Sequence, residues 1–174
     1  MRLIESKTLG TAQASIEFTS IPGTFTDLVV VCSIRGTTSV AVNANLVIQF
    51  NGSSANLSTR WLFGDGSGVS SGTTTTGYVG NLNGSTSTSN TFSSNQIYIP
   101  NYTASTNKSY SVDAVVENNA TASGQTLVAG LWSNTAPITS LLVRDSTGTN
   151  LDTGSMVSLY GVLKGSDGIV TTSP

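Results

Sequence analysis

Leu28-Val29-Val30-Val31-Cys32-Ser33-Ile34-Arg35 is the stretch whose reading decides the fold. β-Branched residues crowd it. With side chains alternating at a period of two, Leu28, Val30, Cys32 and Ile34 share one side, and Val29 and Val31 share the other. A strand that is apolar on both sides is a strand covered on both sides. One cover is the core, and a subunit contact is the expected second cover.

The neighbouring segments carry the same period. Tyr110, Val112, Ala114 and Val116 alternate with Ser111, Asp113 and Glu117, the pattern of a sheet with one wet face. Leu46, Ile48 and Phe50 alternate and run into Asn51-Gly52, whose two residues tolerate positive φ, so a hairpin is expected with Arg60–Phe63 as its return strand. Arg2–Leu9, Ser15–Phe18, Tyr78–Leu82 (as a short edge strand), Gln96–Ile99, Leu127–Trp132, Ile138–Arg144 and Met156–Lys164 read as further strands. Gly64–Thr76 and Asn83–Asn90 are so polar that they read as surface loops away from the core. No window shows the i, i+3, i+4, i+7 apolar pattern of a helix. The expectation is an all-β fold: a jelly-roll-like β-sandwich of about nine to eleven short antiparallel strands with no significant helix. It forms one domain over residues 1–164, followed by a short polar tail at 165–174.

Charge is scarce. Only 9% of the 174 residues are charged, against about 25% in ordinary soluble domains, and Ser, Thr, Asn and Gly take their place. The seven basic residues are scattered and form no stripe for tracking phosphates, which argues against nucleic acid as a partner. Weak self-repulsion tolerates crowding against identical copies or a large assembly. The first residues do not form a secretory leader and no run is long enough to span a membrane, so synthesis in the cytoplasm and no membrane partner are expected. Asn-x-Ser/Thr triplets occur, but a chain this rich in those residues produces them by chance.

The same composition removes most catalytic chemistry. There is no histidine, hence no Ser-His-Asp or Cys-His arrangement and no imidazole metal ligand. Gly68-Val69-Ser70-Ser71-Gly72 matches G-x-S-x-G, but nothing around it predicts the strand-to-helix elbow which that motif requires. Asp113 and Glu117 are four residues apart on one strand, roughly 13 Å at ordinary strand rise, and read as wetting a sheet face. Gly64-Asp65-Gly66-Ser67-Gly68 lacks the repeated acidic ligands of a calcium loop and reads as a turn. Cys32, the sole cysteine, reads as a buried small hydrophobe. Trp61, Trp132 and the five tyrosines either fill the core or stack on sugars. No enzyme activity, no catalytic residue, no metal and no cofactor are expected.

Several segments taken in order carry a resemblance: Ser15-Ile16-Glu17-Phe18-Thr19-Ser20-Ile21-Pro22, then Gly64-Asp65-Gly66-Ser67, Ile97-Tyr98-Ile99-Pro100-Asn101-Tyr102, Glu117-Asn118-Asn119-Ala120, Gly130-Leu131-Trp132-Ser133-Asn134 and Leu159-Tyr160-Gly161. Together they resemble small β-rich virion structural proteins of tailed bacteriophages of aquatic bacteria and cyanobacteria. The resemblance implies a capsid decoration (cement) protein that sits outside the major capsid protein shell and stabilises capsomer junctions. The alternative it implies is a tail-fibre or receptor-binding module contacting host surface glycans. A decoration protein matches the lattice it sits on, so self-association as a homotrimer is expected. Arg2, Leu3 and Ile4 of the first strand and Val29 and Val31 of the doubly apolar strand are the expected contact residues.

Overall fold

The computed structural model describes residues 1–163. The polar tail expected at 165–174, and Lys164 before it, lie outside the described residues. Twelve strands follow in order: β1 (Arg2–Thr8), β2 (Ser15–Phe18), β3 (Asp27–Ile34), β4 (Ala44–Phe50), β5 (Leu57–Gly64), β6 (Val69–Thr74), β7 (Tyr78–Leu82), β8 (Ser93–Ile99), β9 (Lys108–Glu117), β10 (Ser123–Trp132), β11 (Leu141–Asp145) and β12 (Met156–Val162). No helix occurs among the described residues. The fold is an all-β sandwich of two antiparallel sheets, one of eight strands in the order β1-β12-β3-β8-β9-β10-β5-β6 and one of four in the order β2-β11-β4-β7.

That order has a simple wiring. β1 pairs with β12, β2 with β11, β3 with β8 and β4 with β7, as if one long antiparallel hairpin ran through the chain. The pairs β12–β3 and β11–β4 roll that hairpin into two layers. Two further hairpins, β5–β6 and β9–β10, extend the larger sheet beyond β8.

The core lies between the layers. β9 and β10 alternate buried and exposed residues along their whole length, as a half-buried strand must. Phe50 of the small sheet meets Tyr110 and Trp132 of the large one at ring-centroid distances of 5.8 and 5.4 Å. Gly80 of β7, at φ +100°, lets the edge of the small sheet pass under β9: a Cβ there would fall 2.4 Å from the Cβ of Ala114.

Three expectations need correction. The strand count is twelve, and the additional one is β6, inside the stretch expected to be a loop. Its residues are mostly exposed, so no apolar alternation marks it; backbone pairing with β5 makes it a strand. Asn51-Gly52 does form a turn, with φ of 51° and 70°, but not the hairpin expected of it. β4 and β5 belong to different sheets, and the turn carries the chain across the sandwich. The Asn51 carboxamide instead clasps the β10–β11 connection: its Oδ1 accepts from the amides of Thr139 and Ser140, and its Nδ2 donates to the Pro137 carbonyl.

The third correction concerns Asn83–Asn90, which is a loop but is not remote from the interior. Asn83 and Ser87 are buried, and the Arg35 guanidinium reaches in from the end of β3. It donates to the carbonyls of Ser85, Ser87, Thr88 and Thr91, at 2.9–3.3 Å, with the Asp152 carboxylate 3.7 Å from its Nε. A loop without apolar residues is thus held by one buried cation.

Candidate functional site

The outer face of the eight-stranded sheet is the first surface of interest. Strand register brings Leu62 of β5 opposite Leu127 of β10, with Val115 of β9 on the adjacent diagonal. Leu3, Leu62, Val69, Tyr98, Val115, Leu127 and Met156 all point outward from this sheet; they are seven of the nine exposed large apolar residues among those described. On the central strands β8, β9, β10 and β5, the outward charges are Arg60, Asp113 and Glu117 alone. The wet face that sequence alternation predicts for β9 is present, and hydroxyls, amides and a few aliphatic groups share it.

The expected contact residues fall on this sheet unequally. Arg2 and Leu3 are exposed on β1, which pairs with β12 alone and leaves its other edge open. Ile4 packs against the core, and a register shift between Leu3 and Glu5 accompanies that inward turn. Val29 stands between Tyr98 of β8 and Tyr160 of β12 and is 4% exposed, so its second cover comes from within the chain. Val31, one row further along the strand, is half-buried.

The second surface is a cleft of about 440 Å³ at the opposite side of β5–β6. This hairpin overhangs the edge strand β7, and its inward residues Trp61, Phe63, Ser70 and Thr74 face Tyr78 and Asn81 of β7 and Asn43, Asn45 and Val47 of the β4 region. Gly72 lies directly against the indole of Trp61, where a Cβ would fall 2.4 Å from the ring. The Trp61 and Tyr78 rings meet edge to face at 6.4 Å. A short polar chain fixes the amides: Tyr78 Oη donates to Asn81 Oδ1 at 2.6 Å, and Asn81 Nδ2 donates to Asn45 Oδ1 at 3.4 Å. Burial pushes the Tyr78 phenol above its ordinary pKa, so it stays a neutral donor. None of the lining residues carries a formal charge at neutral pH.

The residues weighed for chemistry are dispersed. Asp113 and Glu117 are both exposed on β9. Gly68–Gly72 runs into and along β6, with Ser70 on a strand and no elbow. Asp65 makes the β5–β6 turn, its Oδ1 accepting from the Ser67 amide and hydroxyl and from the Gly68 amide; these hydrogen bonds lower its pKa. Cys32 is fully enclosed, and burial pushes its thiol up to about 12. Among the described residues no three His, Cys, Asp or Glu side chains gather as a metal site would require.

Two further buried charges, besides Arg35, show no sign of burial in the sequence. Asp145 at the end of β11 is fully buried. Burial pushes its carboxyl up, but hydrogen bonds from the Thr38, Thr147 and Thr149 hydroxyls and the Thr147 amide outweigh this and leave it below the usual carboxylate range. The Lys108 ammonium is capped by the carbonyls of Thr106, Asn134 and Ala136 and lies 5.9 Å from the Trp132 ring; burial lowers its pKa. Threonine spacing around Asp145 (positions 147 and 149) was the one available signal, and in so threonine-rich a chain it does not stand out. Comparison of the chain with family models, with curated proteins and with solved structures finds no match.

Proposed function

We propose that this protein is a head decoration protein of a tailed phage, one that binds the outside of the assembled shell of major capsid protein and braces its capsomer junctions. The observation that carries the reading is the outer face of the eight-stranded sheet. Its four central strands carry only Arg60, Asp113 and Glu117 as outward charges, and among the described residues it gathers seven of the nine exposed large apolar side chains. Leu62, Val115 and Leu127 stand exposed on neighbouring strands, and a local group of exposed aliphatic side chains of this kind suits docking. The rolled-hairpin wiring supports a jelly-roll-like reading. Binding the assembled lattice but not free subunits stabilises the lattice by mass action.

In this reading the Leu62–Val115–Leu127 patch meets the capsid, and the open edge of β1, with Arg2, Leu3 and the nearby Val31, joins three copies around a three-fold junction. Cryo-EM of the virion tests it. Density at three-fold positions on the head, in hundreds of copies, is the expected result. Density restricted to the tail overturns it. Purified protein mixed with undecorated heads should co-sediment, and the double variant Leu62→Glu, Leu127→Glu should remain folded yet stay in the supernatant.

A further inference from the structure

We propose that the cleft between the β5–β6 hairpin and the edge strand β7 binds a neutral saccharide, with Trp61 as the stacking platform and Asn43 and Asn45 as the amides that read its hydroxyls. The inference is independent of the capsid reading, because Trp61 and Phe63 alternate with Arg60 and Leu62 on β5. The cleft therefore opens on the side away from the docking face and stays accessible when that face is covered.

The chemistry of the lining selects the ligand class. A volume of about 440 Å³ lies in the range of small-molecule sites. Aromatic rings offer flat apolar faces suited to the C–H faces of a pyranose. Beside them stand amides and hydroxyls, each able to donate and accept, which is what a ring of secondary hydroxyls needs. A peptide terminus, a nucleotide phosphate or an acidic sugar would arrive with a charge and find no counter-charge among the lining residues. The site is also organised in advance. Asn81 is buried and fixed by Tyr78, and its Nδ2 donates to the Oδ1 of the exposed Asn45, whose Nδ2 makes no hydrogen bond within the described residues. Gly72 removes the side chain that would otherwise displace the indole. The aromatic and Asn81 part of the site is thus in place before a ligand arrives, which lowers the ordering cost of binding.

Intrinsic fluorescence gives a direct readout. The chain has two tryptophans, and Trp132 is enclosed in the core, so a ligand-induced change reports Trp61. The experiment titrates the whole protein with neutral tri- to hexasaccharides of glucose, galactose, mannose and N-acetylglucosamine, and with uronic, sialylated and sulfated counterparts. Saturable change with at least one neutral series and none with its charged counterpart is expected. Isothermal titration should then show at least tenfold weaker binding for Trp61→Ala, and also for Asn45→Ala, which leaves the aromatic packing in place should the tryptophan variant fail to fold. Silence across all neutral series overturns the proposal. So does a preference for charged glycans, or binding unchanged in a folded Asn45→Ala protein.

Discussion

Replacing Arg35 with methionine keeps the aliphatic stem and removes the guanidinium, and the outcome measures how a loop with no apolar residue is held. Four carbonyls, of Ser85, Ser87, Thr88 and Thr91, lose a charged donor. A hydrogen bond to a charged group contributes about 1.5–3 kcal/mol net. The four do not add, because the carbonyls of Ser85, Thr88 and Thr91 are part-buried and recover water as the loop moves out. The Ser87 bond is fully buried, and its orphaned acceptor alone costs about 1–3 kcal/mol. Together the loss should be about 3–5 kcal/mol, or roughly 6–20 °C in Tm for a chain of this size. Urea unfolding gives the free energy, and amide exchange locates it. The amides of Gly84, Ser85 and Thr86, which bond to the carbonyls of Ala41, Thr38 and Val40, should exchange far faster, while those of β9 and β10 change only with global stability. Arg35→Lys, with three donors in place of five, should fall between. A loss under about 1 kcal/mol with loop protection intact would refute the reasoning and show that the Asn83 and Ser87 side chains hold the loop unaided.

Asp145 gives the fold an acid limit: its folded carboxyl lies below the unfolded value of about 3.9, so its stabilisation is complete above that pH and drains away as pH falls through the folded value. Urea midpoints measured downward from pH 5 should therefore fall more steeply for the wild type than for Asp145→Asn. Gly130→Ala places a Cβ 2.1 Å from the Tyr110 ring, which Phe50 already backs, and should cost about 1–3 kcal/mol by chemical denaturation. Deleting Ser70–Thr75 removes most of β6 and uncovers Trp61 and Phe63; a red-shifted tryptophan emission and a loss of about 2–3 kcal/mol are expected, and an unchanged protein would mean that β6 contributes nothing to β5.

Eleven of the twelve strands among the described residues are legible in the sequence, most because they bury alternate side chains, as β8, β9 and β10 do, or nearly all of them, as β7 does. β6 is not, because Val69-Ser70-Ser71-Gly72-Thr73-Thr74 lies at a sheet edge and owes its conformation to backbone pairing that leaves no mark on composition. The Asn51-Gly52 error has a related cause: the dipeptide specifies a turn but not which strands flank it, and here long-range partners on β10 and β11 decide. The candidate sites were legible only in part. Leu3 and Val31 were visible as apolar residues on the outward side. The Leu62–Leu127 pair is set by register between strands 65 residues apart, and the cleft by an overhang that depends on sheet order. Nothing in the sequence marks Arg35, Lys108 or Asp145 as buried, because most of their partners are backbone carbonyls and threonine hydroxyls, which no charge pattern reveals.

Eight strands facing four has a consequence for shape. At the ordinary twist of 20–25° between neighbours, seven strand-to-strand steps turn the large sheet through roughly 150° from one edge to the other. The outer faces at β1 and β6 are then turned in different directions, and a sheet with that twist has a saddle-shaped outer surface. A flat surface touches only a few adjacent strands of a saddle at once. The two rims of this one small domain therefore address different planes, which suits a bracket set across a corner better than a plate laid on a wall.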